Sequence, residues 1–216
     1  MAFMDTSWLF DEYYIDYDEW YMRNRNIGMT ESLCIRRLCP YGRILDIGVG
    51  TGALTKDIGG LIIGVDPAEK PLLIASKRGI LTINAYGENL PFIDEVFDTV
   101  IMSVTICFLP DPYPVLREAY RVLKRDGFLI ICFVPRSSTW GKYYLFLKYS
   151  LKSRFYRYAR FYDMDEVYEL LSSTGFRVRD ICSTLFKGPV EPGAIEEPVM
   201  GFIEGAGFYC VRAEKK

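Results

Sequence analysis

The segment ILDIGVGTGAL, residues 44–54, decides the fold. An apolar strand run ends at Ile47, glycines follow at alternate positions (Gly48, Gly50 and Gly52), and a helix is expected to begin at Ala53. Glycine lets the backbone adopt turns closed to other residues and come close to a ligand. A helix N-terminus beyond the loop would present unpaired N–H groups. Twenty positions after Asp46, a second acid, Asp66, closes the next strand run, LIIGV. A carboxylate there can accept both ribose hydroxyls of a nucleoside. The alternative without a ligand is a tight structural turn.

Two nucleoside readings fit the loop. Gly48, Gly50 and Ala53 satisfy the G-x-G-x-x-G/A spacing of dinucleotide folds. Asp46 with Gly48, Gly50 and Gly52 fits acid-x-G-x-G-x-G, the first motif of S-adenosylmethionine folds. A carboxylate just before the loop would face a pyrophosphate badly, anion against anion. It suits an aminoacyl ammonium.

Working outward, the pattern alternates strand and helix. RILDI (43–47), LIIGV (61–65), ILTIN (80–84), FDTVIMSV (97–104) and FLIICFV (128–134) read as strands. ALTKDI (53–58), 68–78 and 111–127 read as helices, the last stopped by Gly127. A helix over 163–175 precedes two final strands, FRVRDIC (176–182) and GFYCVRA (207–213), separated by a long Gly- and Pro-rich loop. Such alternation predicts a parallel sheet with helices on both faces. Residues 1–42 are expected to be a helical or irregular region closed by Pro40 and Gly42.

Five segments in the right order resemble a class I S-adenosylmethionine-dependent methyltransferase of the small-molecule, ubiquinone-biosynthesis-like group (methyltransferase type 11). They are LDIGVGTG (45–52), GVDP (64–67), GENLPFIDEVFDTVIMS (87–103), REAYRVLKRDGFLII (117–131) and FYDMDEVYELLSSTGF (161–176). The resemblance implies an α/β, Rossmann-like, mostly parallel seven-stranded sheet with helices on both faces and an antiparallel last strand. It implies one methyltransferase domain over 1–216, divided into an N-terminal cap (1–42), a cofactor-binding core (43–134), a lid insertion (135–162) and a C-terminal helix and strand hairpin (163–216). The implied cofactor is S-adenosylmethionine, with S-adenosylhomocysteine as product.

Carried onto this chain, the resemblance gives Asp46, Gly48, Val49, Gly50, Thr51 and Gly52 to the methionine end, and Asp66 to the ribose with Pro67 beside the adenine. Gly87, Glu88 and Asn89 would border the adenine edge, and Ser103, Val104 and Thr105 would lie beneath the sulfonium. Three departures stand out. Tyr86 occupies a position where the family often has Asp, Arg125-Asp126-Gly127 replaces Pro-Gly-Gly, and Thr105, Cys107 and Phe108 fill a region that often carries His.

Methyl transfer from a sulfonium is an in-line displacement that needs alignment and exclusion of water. The chain has no His, so His triads, His metal sites and His bases are excluded. A hydroxyl acceptor would need Asp, Glu, Tyr or a thiolate as base, and a soft acceptor almost none. Catalytic residues and any metal site stay unassigned. Two segments could build an acceptor pocket. YDEWY (17–21) resembles an element that covers the donor in related enzymes, so Tyr17, Trp20 or Tyr21 could close over the sulfonium; a packed N-terminal helix is the alternative. Residues 136–162 interleave aromatics with Arg and Lys and contain no acid. A lid over a small substrate, an RNA surface and a membrane-facing helix all fit. Arg136 and Arg160 are candidates for an anionic acceptor group. Cys107 is a candidate for pocket lining, or for a nucleophile.

Composition narrows the classes further. In 216 residues, 26 basic and 28 acidic side chains give a net charge of −2, no global polyanion-binding signature. No uncharged run is long enough for a membrane span. The acidic, aromatic start is unlike a targeting peptide, so a cytoplasmic protein is expected. Gln is absent and Asn occurs only at 24, 26, 84 and 89, a thermophile-like composition. Cys34, Cys39, Cys107, Cys132, Cys182 and Cys210 form no C-x-x-C pair and read as buried thiols. The expected partner is a small-molecule acceptor rather than nucleic acid, and the expected state a monomer or homodimer. The rival functions are an RNA-modifying methyltransferase and a non-catalytic S-adenosylmethionine-binding subunit.

Overall fold

A computed structural model describes residues 5–38, 42–189 and 193–216. In chain order the elements are α1 (Ser7–Arg23), α2 (Arg25–Leu38), β1 (Arg43–Ile47), β2 (Leu61–Asp66), α3 (Glu69–Lys77), β3 (Leu81–Asn84) and β4 (Phe97–Ser103), then α4 (Pro112–Val122), β5 (Leu123–Phe133), α5 (Thr139–Tyr149), α6 (Met164–Ser173), β6 (Phe176–Thr184), β7 (Val199–Met200) and β8 (Phe208–Lys215). The strands form one sheet in the order β3-β2-β1-β4-β5-β8-β6-β7. The first five run parallel, and β8 lies antiparallel between β5 and β6. Cys39 and the closure expected at Pro40 lie outside the described residues.

Among the described residues the sheet has eight strands where seven were expected. The extra one is β7, whose two residues pair with Cys182 and Ser183 at the sheet edge. Two residues inside a Gly- and Pro-rich loop carry too little alternation to be read as a strand. Two helix expectations also fail. Residues 53–58 form turns, with Lys56 N–H donating to Gly52 O at 3.1 Å and Ile58 N–H to Thr55 O at 3.2 Å, before Gly59 and Gly60 take positive φ. The glycine loop is therefore not followed by a helix whose dipole could act on a ligand. Helix α4 stops at Val122 rather than Gly127. Leu123 turns extended and pairs with Phe97, and Lys124 Nζ reaches Asp98 at 2.6 Å, so 123–127 belong to β5.

Strand alternation divides the core between the two faces. Leu45, Ile47, Val100, Met102, Leu129 and Ile131 pack with α4 and α6, through residues such as Val115, Leu116, Val167 and Leu171. Ile44, Ile101, Ile130 and Cys132 pack on the other face with α2, α3 and α5, through Ile35, Leu38, Leu72, Trp140 and Tyr144. Asp46 shares the face of Ile44, where only a polar environment can accommodate it. No helix among the described residues is long and apolar enough to cross a membrane.

Candidate active site

The carboxyl ends of β1, β2 and β4 open into a cleft of about 1040 Å³, the edge at which open α/β sheets hold ligands. The glycine loop forms its floor. Gly48 and Val49 N–H groups both donate to Val65 O, at 2.8 and 3.2 Å, which folds the loop onto β2. Gly48 sits at φ 72°, and a Cβ there would come within 2.3 Å of Thr105 Cγ2. Gly50 sits at φ 52°, and a Cβ there would meet nothing within 4 Å. The first glycine is required by packing, whereas the second leaves open space for a ligand to approach the backbone.

Two carboxylates flank this floor. Asp66, at the end of β2, accepts the Gly50 amide through Oδ2 at 2.8 Å and the Ala68 amide through Oδ1 at 2.9 Å. Burial raises it to about 6, against the pull of those amides. Asp46, 1% exposed, accepts Thr55 Oγ1 on Oδ2 at 2.6 Å, while its buried Oδ1 has no partner among the described residues. Burial raises Asp46 to about 7, opposed by Thr55 and aided by the charge of Asp66. A buried carboxylate oxygen without a donor is costly unless a ligand supplies one.

The third wall comes from the end of β4. Val104 adopts φ 58°, a left-handed conformation that strains a β-branched residue. Thr105 Oγ1 donates to Ile47 O at 3.0 Å and ties this corner to β1. Ser103 Oγ and Thr51 Oγ1 are buried on the same cleft without partners among the described residues.

Helix α1 roofs the cleft. It bends at Tyr13, whose φ of −116° and ψ of 26° are non-helical, and contributes Phe10, Tyr17 and Tyr21 to the lining. Phe10 stands edge-on to Phe108 at 5.0 Å, and Tyr17 to Tyr21 at 5.4 Å. Burial pushes both tyrosine hydroxyls well above the ordinary phenol range. A bidentate ion pair anchors the roof: Arg78 reaches Asp18 of α1 at 2.6 and 3.0 Å, and also donates to Thr51 O at 2.8 Å. Lys70 N–H donates to Asp11 at 2.8 Å.

Of the residues singled out in the sequence, Asp46, Gly48, Val49, Gly50, Thr51, Asp66, Pro67, Gly87, Glu88, Ser103, Val104, Thr105, Tyr17 and Tyr21 line this cleft. Gly52 does not: a Cβ there would strike Ile80 Cδ1 at 2.4 Å, so it serves packing. Asn89 is exposed and closes a turn onto Tyr86 O at 3.1 Å. Trp20 packs against the core, edge-on to Tyr21. Cys107 lies off the cleft lining, donates to Val104 O at 3.0 Å, and is raised by burial to about 12, which disqualifies it as a nucleophile. Arg136 pairs with Asp163 and Glu166 at 3.0 Å each, and Arg160 with Glu166 at 3.6 Å, lying over the Tyr162 ring; neither reaches the cleft. Sequence reasoning missed Thr55, Phe10 and Arg78. Each acts through a contact distant in sequence or outside any motif.

The chain is similar to proteins of recorded description. A family described as "Methyltransferase domain" matches residues 45–131. An uncharacterised protein of Methanocaldococcus jannaschii is 41% identical over 96% of this chain and 98% of its own length. A crystal structure from Thermotoga maritima, described as a SAM-dependent methyltransferase and possible histamine N-methyltransferase, is 39% identical with a TM-score of 0.90, covering 96% of this chain and 98% of that one. A demethylmenaquinone methyltransferase of Tropheryma whipplei is 30% identical over 62% of this chain and 66% of its own.

Proposed function

The chain belongs to the class I S-adenosylmethionine-dependent methyltransferases, and on that premise we propose that it methylates a small-molecule acceptor held in the cleft under α1. The enzyme class and its cofactor, S-adenosylmethionine, follow from the family; the acceptor class and the residue roles are our reading. The observation that carries the residue roles is the unpartnered Asp46 Oδ1, buried where the glycine loop leaves open space at Gly50.

The residues present suit the cofactor. Asp46 Oδ1 would accept from the aminoacyl ammonium, and Asp66, with a lone pair to spare on each oxygen, from the ribose hydroxyls. Gly50 gives the approach to the backbone, Pro67 and Gly87 the apolar border of the adenine, and Ser103 and Thr51 hydroxyls free for further hydrogen bonds. When bound, S-adenosylmethionine supplies an electrophilic methyl on a sulfonium. Tyr17 and Tyr21 present aromatic faces that tolerate a positive centre, and with Phe10 they keep water out. The strained Val104 corner fixes the floor opposite them.

We read residues 1–42 as the cap and 43–134 as the cofactor-binding core within one domain; the segment 135–162, expected as a lid, packs against α1 through Arg154 and Phe155 and does not line the cleft. The basic groups of 135–162 favour a small acceptor over RNA, because many are satisfied internally. Arg136 and Arg160 are paired with acids, Lys148 donates to Ala159 O at 2.6 Å, and Arg154 binds Asp16 at 2.8 Å. Five buried cysteines among the described residues, carried as free thiols, suit the reducing cytoplasm. The descriptions of the Tropheryma and Thermotoga relatives support two acceptor chemistries, a demethylated quinone and an amine.

The test is incubation with methyl-labelled S-adenosylmethionine and separate panels of amines, phenols, thiols, carboxylic acids and tRNA. Label in a small molecule and none in tRNA is expected. Label in tRNA alone, or turnover only beside a partner protein, would overturn the small-acceptor reading.

A further inference from the structure

Helix α5 is apolar on both of its sides. Trp140, Tyr144, Leu145 and Leu147 pack on the core. Tyr143, Phe146 and Tyr149, spaced three apart and so sharing one face, point outward, with Phe146 54% and Tyr149 76% exposed. A helix on a protein surface normally turns a polar face to water, and one that is apolar all round is normally covered all round. This segment lines no part of the cleft, so methyl transfer does not account for its outer aromatics.

The apolar face continues past the helix end at a cost. Leu151 N–H donates to Lys148 O at 3.2 Å and Lys152 N–H to Leu147 O at 3.0 Å, the paired bonds of a Schellman stop. That stop holds Leu151 at φ 56°, where glycine is the usual residue, and leaves it 69% exposed. An exposed leucine in a left-handed conformation is unfavourable twice, by backbone strain and by contact with water.

The charge around this face has one sign. Residues 135–162 contain seven Arg and Lys and no acid. Arg136, Arg154 and Arg160 meet acids from elsewhere in the chain, and Lys148 turns its ammonium to Ala159 O. Lys142 lies one turn before Phe146, and the Lys152 ammonium sits 5.1 Å from the Phe146 ring centroid. Neither lysine pairs with an acid among the described residues; the lysines that do are Lys56, Lys124 and Lys215. Aromatic and aliphatic groups flanked by free lysines match a lipid headgroup layer, with rings and leucine at the acyl boundary and ammonium groups on the phosphates. RNA fits this face less well. Two free lysines neutralise few phosphates, and a leucine offers bases no stacking surface.

We propose that the outer face of α5, continued through Leu151 and Lys152, docks the chain peripherally on an anionic phospholipid bilayer. Tyr143, Phe146, Tyr149 and Leu151 enter the headgroup layer, and Lys142 and Lys152 meet the lipid phosphates. The docking face is separate from the cleft and stands whatever the acceptor is.

The test is co-sedimentation of the full chain with vesicles of phosphatidylcholine alone and of phosphatidylcholine with about one quarter phosphatidylglycerol. At low salt the chain is expected to partition onto the anionic vesicles about tenfold or more above the neutral ones, with the difference shrinking in high salt. Phe146→Ser with Tyr149→Ser should lower partitioning about tenfold or more, and Lys142→Glu with Lys152→Glu should remove the anionic preference. Both double variants should keep the wild-type melting temperature and S-adenosylhomocysteine affinity. Leu151→Gly should raise the melting temperature, by releasing the strained turn, and still weaken vesicle binding. That opposite pair of changes is one that a purely structural leucine would not give. No partitioning onto anionic vesicles, or partitioning unchanged in both double variants, would overturn the proposal. A wild-type dimer by light scattering that the Phe146 and Tyr149 variant converts to monomer would overturn it as well, by assigning the face to a second copy of this chain.

Discussion

The Asp66 carboxylate holds the glycine loop by its middle: Oδ2 accepts the Gly50 amide at 2.8 Å, locking the end of β2 to the turn after β1. One side chain therefore both shapes the loop and faces the cleft. Asp66→Ala should weaken S-adenosylhomocysteine binding about 10- to 100-fold, from loss of charge-assisted hydrogen bonds worth roughly 1.5–3 kcal/mol. Calorimetric titration of the variant reads this directly. Unchanged affinity would remove Asp66 from the ribose role.

The two loop glycines should fail differently. Gly50→Val adds a side chain in open space at a positive φ, so the fold should survive with a loss of about 1–3 kcal/mol while cofactor binding disappears. Gly48→Ala drives a methyl into Thr105 and should lower the melting temperature first. Thermal denaturation beside ligand titration separates the two; normal binding by Gly50→Val would count against the loop assignment.

Asp46 sets a pH dependence. The unfolded chain releases this proton near pH 4, whereas the folded protein keeps it to about 7. Its contribution to stability is thus complete below pH 4 and lost as pH rises to 7, a change on the order of a few kcal/mol. Asp46→Asn should flatten that part of the stability curve and also weaken cofactor binding. Parallel pH profiles of wild type and variant, measured by denaturant melts, would contradict the assignment.

Arg78 couples roof to floor, through Asp18 on α1 and Thr51 O in the glycine loop. Arg78→Met should cost about 1–3 kcal/mol by stranding Asp18, and should loosen cofactor binding although Arg78 lies outside the cleft lining. Hydrogen exchange over residues 7–23 should rise in the variant. Protection equal to wild type would show that α1 is held by its aromatic contacts alone.

Much of this was legible in the chain because the parallel strands are short, apolar and each followed by a break, so β1 to β5 and the acids ending β1 and β2 fall where the pattern puts them. What escaped was set by tertiary contacts. Residues 53–58 carry a helical pattern but close into turns over Asp46, and 123–127 are pulled from helix to strand by Phe97 and Asp98. The partners of Arg136 and Arg160, Asp163 and Glu166, form the capping box that starts α6, and nothing in the local sequence pairs those acids with the basic run before them. A charge in an aromatic basic run looks free until the fold shows which acids face it.

The most direct measurement is calorimetric titration of S-adenosylmethionine and S-adenosylhomocysteine into the purified chain, with Asp66→Ala alongside. Saturable binding of both by the wild type, weakened in the variant, is the expected result. Absence of heat and of any melting-temperature shift with either ligand at millimolar concentration would contradict the assignment of this cleft.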